Sequence, residues 1–252
     1  MKHSAFKSLS LAALAAALVA ALVAVTDIRA ADPVLATYTA NYQVEYKGRS
    51  AGLAEFSVSY DAAQDLYTFR SYLEVKGLLL RAIAPKPAVE HSVFAVRNGR
   101  IEPLEFRYED GTRKGGNNFQ ARFDWAAKRV VLDGEQHVEL DIAPGTLDRG
   151  SLQVALMRDM AARGTLGPYV LADDDSLKTY EVTRVGEERL TTSVGELAVV
   201  RYRQQRVGSS SSTSLWVAPE LQYLPVRMER QRGDATDTIF VLESVEGLGR
   251  AR

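Results

Sequence analysis

The stretch TYTANYQVEY, Thr37 to Tyr46, alternates without a break, with Tyr38, Ala40, Tyr42, Val44 and Tyr46 on one side and Thr37, Thr39, Asn41, Gln43 and Glu45 on the other. Successive side chains of a strand point to opposite faces, so this period of two sets one side against a core and the other in water. Lys47-Gly48-Arg49 supplies a turn. Ala54, Phe56, Val58 and Tyr60 then alternate against Glu55, Ser57 and Ser59, and the pair reads as a hairpin.

The same rhythm runs outward from this hairpin. Tyr67 to Val75, Val89 to Val96, Leu104 to Tyr108 and Phe119 to Trp125 carry it through the first half, with turn signals at Asn98-Gly99, Asp110-Gly111 and Gly115 to Asn118. Shorter strands are expected at Val130 to Leu132 and Val138 to Ile142. Later ones are expected at Thr179 to Val185, Leu197 to Arg203, Thr213 to Val217, Leu224 to Arg230 and Thr238 to Leu242. Pro225 inside its strand implies an edge or a bulge, since proline cannot donate to a ladder. Ser151 to Arg163 breaks the period: Leu152, Ala155, Leu156 and Met160 recur at helical spacing behind Asp148 and Ser151 as caps, and Gly164 ends the segment.

Sequential neighbours usually pair, and a sheet of so many strands must curl or split as twist accumulates. The expected fold is all-β: a large curved antiparallel sheet forming a half-barrel or incomplete β-barrel, with one short helix. A closed outer-membrane barrel competes with it, but Ser71, His91 and Arg184 interrupt the apolar faces and the helix needs a place to pack.

Lys2 and Lys7 precede an unbroken run of Leu, Ala, Val and one Ser from Leu9 to Val25, and Ile28 and Ala30 occupy the −3 and −1 positions of a cleavage site. This predicts a signal peptide over residues 1–30, cut after Ala30, and a single β domain over 31–252 in the periplasm. An uncleaved anchor is the alternative, as the run approaches the length of a membrane span; after cleavage no transmembrane segment is expected. There is no cysteine, which excludes a lipid-modified N-terminus, disulfides and thiol chemistry. The nearly balanced charge, −1 over the whole chain, gives no sign of nucleic acid as a partner.

Taken in order, YTANYQVEYKGRSAGLAEFSV, RNGRIEPLEFRYEDG, DRGSL, VGEERLTTSVGELAVVRYR and LWVAPELQYLPVRMERQRG resemble the domain of unknown function 3108 family. The likeness covers most of the mature chain. It implies an exported all-β protein without an assigned reaction. Its sheet would be similar in kind to the unclosed barrels of periplasmic lipoprotein carriers and envelope-integrity proteins. It supplies no catalytic residues.

Few groups suggest chemistry. Gly48-Arg49-Ser50-Ala51-Gly52 matches the nucleophile pattern G-x-S-x-G, but an alternating strand follows where that motif needs a helix, so a hairpin turn is the expected reading. His91 and His137 lie too far apart to form a paired metal motif, and Asp173-Asp174-Asp175 reads as a solvated acidic loop. No cofactor or metal is expected. His91, in phase with Val89, Val93 and Ala95, is expected in the core bonded to the backbone, with a polar group lining a cavity as the alternative. Arg201, Arg203, Arg206, Arg227, Arg230 and Arg232 gather on two late strands with Glu229. Cross-strand pairing on a wet face is the expected reading, and an anionic headgroup or glycan site is the alternative.

Gly77 to Pro87 carries Leu78, Leu79, Leu80 and Ile83 without alternation, so something must cover part of it. A loop plugging the barrel end is expected, with a hydrophobic lip as the alternative. Tyr42, Tyr46, Phe56, Phe69, Phe106 and Trp125 are expected to line the concave sheet. The function this suggests is non-catalytic: a periplasmic binding protein of the cell envelope holding a lipid, an acylated peptide or a cell-wall fragment, with that lip as its entrance. An adaptor acting on an envelope-protein partner is the second reading, and a hydrolase the third.

Overall fold

The computed structural model describes residues 35–249 apart from 163, 165 and 234, and omits the side chain of Leu79. The expected export segment over residues 1–30 lies outside the described residues. Strands β1 (Tyr38–Tyr46) and β2 (Arg49–Asp61) form the expected hairpin, and β3 (Leu66–Val75), β4 (Ala88–Arg97), β5 (Arg100–Glu109), β6 (Phe119–Asp124), β7 (Arg129–Asp133) and β8 (His137–Asp141) continue it as a meander. A second meander comprises β9 (Tyr169–Asp173), β10 (Ser176–Thr192), β11 (Gly195–Arg206), β12 (Ser211–Ala218), β13 (Leu224–Arg232) and β14 (Ala235–Glu246). The two are joined where β1 pairs antiparallel with β14. All 14 strands make one antiparallel sheet in the order β8 to β1, then β14 to β9.

The sheet is not closed. β9 passes close to β7, and β10 to β8, without ladder pairing. Between these edges runs the connection that carries the main helix, so β8 and β9 are not adjacent in the meander. The edge of β9 is covered instead by Leu147, which donates to Val170 O and accepts from Ala172 N. The edge of β8 carries exposed His137, Glu139 and Asp141, charged positions that blunt an unpaired strand.

The alternating residues of β1 to β3 build the core as expected: Tyr38, Ala40, Tyr42, Val44, Ala54, Val58, Tyr67 and Phe69 are buried. On β4 the expected face is inverted up to the register shift at Val93/Phe94, beyond which Ala95 is buried as expected. Ser92 and Phe94 are fully buried and His91 is exposed, because the Ser92 hydroxyl faces the helix and donates to Asp148 Oδ2 at 2.8 Å. Pro225 is tolerated not at an edge but beside a register shift at Trp216/Val217, with β13 interior to the sheet. Asp173 belongs to β9 and is buried, not part of an acidic loop.

Among the described residues there are two α-helices. Helix α1 (Leu78–Ile83) occupies the β3–β4 connection, where a loop plug was expected; Leu78 is 92% and Ile83 67% exposed, so it plugs nothing. Gly77 at φ 91 and Pro85 and Pro87 bound this single turn and a half. Helix α2 (Arg149–Ala161) lies on the sheet against β3, β4, β5 and β9, buried through Leu152, Val154, Ala155, Leu156, Met157 and Met160. Its capping box is reciprocal: Ser151 N donates to Asp148 Oδ1 at 2.8 Å and Asp148 N donates to Ser151 Oγ at 2.9 Å. Gly150 is required for the close approach, since a Cβ there would lie 2.7 Å from both Phe69 Cδ1 and Ser92 Cβ.

Candidate functional site

The inward faces of the late strands change character along their length. On β11 the inward row runs Val200, Tyr202, Gln204, Arg206; on β13 it runs Val226, Met228, Arg230, Arg232. Where these rows turn polar they face the N-terminal end of α2, and a cleft of about 820 Å³ lies between them. Leu152, Leu171, Leu215 and Met228 give it an apolar floor, and Tyr108 and Tyr180 flank it. Its remaining wall is polar, with neutral side chains such as Gln153, Gln204 and Thr213 among the charged Glu90, Arg149, Asp173, Lys178, Arg206, Arg230 and Arg232.

Part of this charge is spoken for. Arg149, the first residue of α2, donates through Nε to Asp173 Oδ1 at 2.7 Å, brings Nη2 to the same oxygen at 2.6 Å, and reaches Glu90 Oε1 at 3.5 Å. Its guanidinium stacks over the rings of Tyr108 and Phe119, each at 4.9 Å. Lys178 Nζ meets the other Asp173 oxygen at 3.4 Å. Burial pushes the Glu90 carboxyl up, and Arg149 opposes the shift without cancelling it. Burial also raises the Tyr108 and Tyr180 phenols, which stay protonated donors at neutral pH.

The rest of the charge is cationic and little engaged. Among the described residues Arg206 and Arg230 have no ion-pair partner, and Arg232 reaches only Asp237 at 4.0 Å. The six clustered arginines are thus divided by the strand period. Arg206, Arg230 and Arg232 face the cleft. On the opposite face Arg201 stacks over Trp216 at 4.9 Å, and Arg227 pairs with Glu229 at 2.7 Å.

The residues expected to line the concave sheet do not line this cleft. Tyr42, Phe56 and Phe69 do meet, with ring centroids 5.0 Å apart for the first pair and 6.1 Å for the second, but as part of the packed core; the Tyr42 hydroxyl donates to Pro225 O at 2.9 Å. Phe106 is buried in a separate cluster with Phe119, Val130 and Leu132. Trp125 stacks on Phe123 and donates to Pro103 O at 2.7 Å. Tyr46 is exposed at the β1–β2 turn, and none of the six lines the cleft. Leu78, Leu80 and Ile83 lie on α1, also away from the cleft lining. Ser50 is a strand residue opposite Glu45, without the strand-to-helix turn its motif needs. Sequence reasoning missed Glu90, Arg149, Asp173 and Lys178. The available signal was polar residues in phase with core positions: Glu90 two before Ser92, and Arg230 two after Met228.

The fold has a solved counterpart. The chain matches the crystal structure of a β-barrel-like protein of the domain of unknown function DUF1849 from Brucella abortus at TM-score 0.53 and 12% identity, over 84% of this chain and 98% of that one. It also matches a crystal structure of MucB at TM-score 0.35 and 9% identity, over 86% of this chain and 55% of that one. Among curated proteins none is similar in sequence. The profile of the family described as "Protein of unknown function (DUF3108)" matches residues 41–239, and the chain therefore belongs to that family.

Proposed function

We propose that this protein is a non-catalytic binding protein of the bacterial envelope that holds an amphipathic anion in the cleft between α2 and the late strands. The observation that carries this is the pairing of a free cationic wall, Arg206 and Arg230, with an apolar floor of Leu152, Leu171, Leu215 and Met228 in one cleft. Guanidinium forks suit phosphate and carboxylate, and the floor accepts the hydrocarbon next to such a group. A volume of about 820 Å³ suits one acyl chain with its headgroup. The export segment expected over residues 1–30 supports a site in the periplasm, where such amphiphiles pass between membranes.

The test is calorimetric titration of the protein, purified from a bacterial periplasm, with lysophosphatidylglycerol and with lysophosphatidylcholine. The anionic lipid should bind more tightly. The double variant Arg206→Glu, Arg230→Glu should weaken it by more than about a hundredfold, as each charged contact contributes about 1.5–3 kcal/mol. Equal affinity of variant and parent, or no binding of either lipid, would overturn the proposal.

A further inference from the structure

The turns of the sheet divide between two rims. The β1–β2, β3–β4, β5–β6, β9–β10, β11–β12 and β13–β14 connections share one of them. The cleft reaches this same rim, since Asn117 of the β5–β6 loop, Ser209 of the β11–β12 turn and Arg232 at the end of β13 line it. Helix α1 stands on this rim with Leu78 and Ile83 turned to solvent.

This apolar tip is rigidly held. Lys76 N donates to Ala51 O at 2.7 Å, Arg81 N to Gly77 O at 3.0 Å, Ala84 N to Leu80 O at 2.8 Å, and Lys86 N to Gly111 O at 3.2 Å. Arg113 Nε reaches Ala82 O at 3.4 Å from the neighbouring loop. Gly111, at φ 70, lets that loop come so near; a Cβ there would lie 2.3 Å from Lys86 O. The exposed leucine and isoleucine are therefore presented by an anchored turn, and their own chain does not fold over them.

The charge around the tip is mostly basic, with Glu74 at the end of β3 as an exposed acid. Residues 76–87 contain Lys76, Arg81 and Lys86 and no acid, the β5–β6 loop adds exposed Arg113 and Lys114, and the β1–β2 turn adds Lys47 beside exposed Tyr46. The acid of the β5–β6 loop, Asp110, is buried and engaged: it accepts from Thr112 N and Oγ1 at 2.8 Å and from Asn117 N and Nδ2 at 3.2 Å. Glu109 is paired with Arg107. An apolar point set in a ring of unpaired cations, with a tyrosine at its margin, is complementary to a layer of anionic headgroups over hydrocarbon.

We infer that α1 and the basic loops around it form a membrane-docking tip, which inserts Leu78 and Ile83 into an anionic lipid surface and brings the rim end of the cleft against it. This inference stands independently of the cleft's ligand, and the experiment separates the two.

The full protein is tested for cosedimentation with vesicles of phosphatidylcholine alone and of phosphatidylcholine with phosphatidylglycerol. It should bind the second and not the first, and added salt should weaken that binding. Leu78→Glu, Ile83→Glu should reduce partitioning by more than about tenfold, and Arg81→Ala by about fivefold. Both substitutions are at exposed positions, and the tip variant should still bind lysophosphatidylglycerol like the parent, which shows an intact fold and cleft. The cleft variant Arg206→Glu, Arg230→Glu should still bind vesicles. Absence of vesicle binding, or parent-like binding of the tip variant, would overturn the inference. So would self-association without lipid that the tip variant abolishes, since the tip would then cover a second copy of this chain.

Discussion

Asp148 is fully buried at the N-cap of α2, where its carboxylate accepts from Ser151 N and the Ser92 hydroxyl, each at 2.8 Å. These hydrogen bonds and the helix N-terminus favour the ionised form, yet burial outweighs them and pushes the carboxyl from 3.8 up to about 6. A folded-state pKa above the unfolded one has a definite sign. The stability it gives is fully present below 3.8, and it is lost as pH rises through about 6. A shift of about two units corresponds to about 3 kcal/mol of penalty for carrying the charge at neutral pH. Asp148→Asn keeps the shape and an acceptor for Ser151 N while removing the charge, and the Ser92 hydroxyl can turn to accept from the new amide. Urea unfolding of parent and variant should therefore give similar stability below the unfolded pKa. The variant should gain progressively, to about 3 kcal/mol, once the pH exceeds the folded one. Taking the difference between the two proteins cancels the opposite dependence of Asp61, Asp110 and Asp175, whose carboxyls hydrogen bonds hold below the usual range. A parent-minus-variant difference that stays flat across this window would refute the reasoning. Asp148→Ala is the contrast: it loses the cap and strands Ser92, and should cost about 1–2 kcal/mol at low pH.

Two further outcomes follow from the same neighbourhood. Arg149→Met leaves Asp173 with Lys178 alone and takes from Glu90 its ion-pair partner, and should cost about 2 kcal/mol in urea unfolding near neutral pH, discounted because Arg149 is partly exposed. That loss should shrink on acidification as Glu90, whose carboxyl burial pushes up, takes up its proton; a loss that grows instead would mean the arginine acts mainly by packing. Gly150→Ala should lower the thermal midpoint by the equivalent of about 1–3 kcal/mol through collision with Phe69 and Ser92. Gly116→Ala, whose Cβ would meet nothing within 4 Å, should leave the midpoint unchanged and serves as the control.

The sheet was legible because its hairpins obey one rule, apolar on alternate positions, and that rule survives wherever the inward residues really are apolar. It fails where they are not. On β4 the inward residue beside Phe94 is Ser92, recruited to hold the Asp148 cap, and the period then favours the wrong face, with His91 inside. Asp173 was misplaced for a related reason. A triple aspartate looks like a solvated turn, and only the distant Arg149 and Lys178 make its first member a strand residue that can be buried. The cleft was half visible: the arginines stood out as a cluster, but their division between two faces needed strand registers. The aromatic residues were visible as inward residues. What decides whether such a residue lines a cavity or fills a core is the position of α2, which covers the apolar part of the concave face and leaves the polar end open. The Leu78 to Ile83 patch stood out correctly as an anomaly, while its exposure depended on a six-residue helix that no period could announce.

The seam between β8 and β9 sets this sheet apart from a closed barrel. A closed barrel has its girth set by strand number and shear, and can widen only by breaking ladder hydrogen bonds. Here the two meanders share the β1–β14 junction as a spine, and their free edges meet through side-chain packing, Ala172 against the cluster holding Val130 and Leu132, with the two hydrogen bonds of Leu147 tying β9 to the segment leading into α2. Spreading these edges separates apolar side chains and leaves every rung of the sheet intact. The seam is thus built as a clasp, held shut by side-chain packing and not by ladder hydrogen bonds, so that parting it requires no change in strand register.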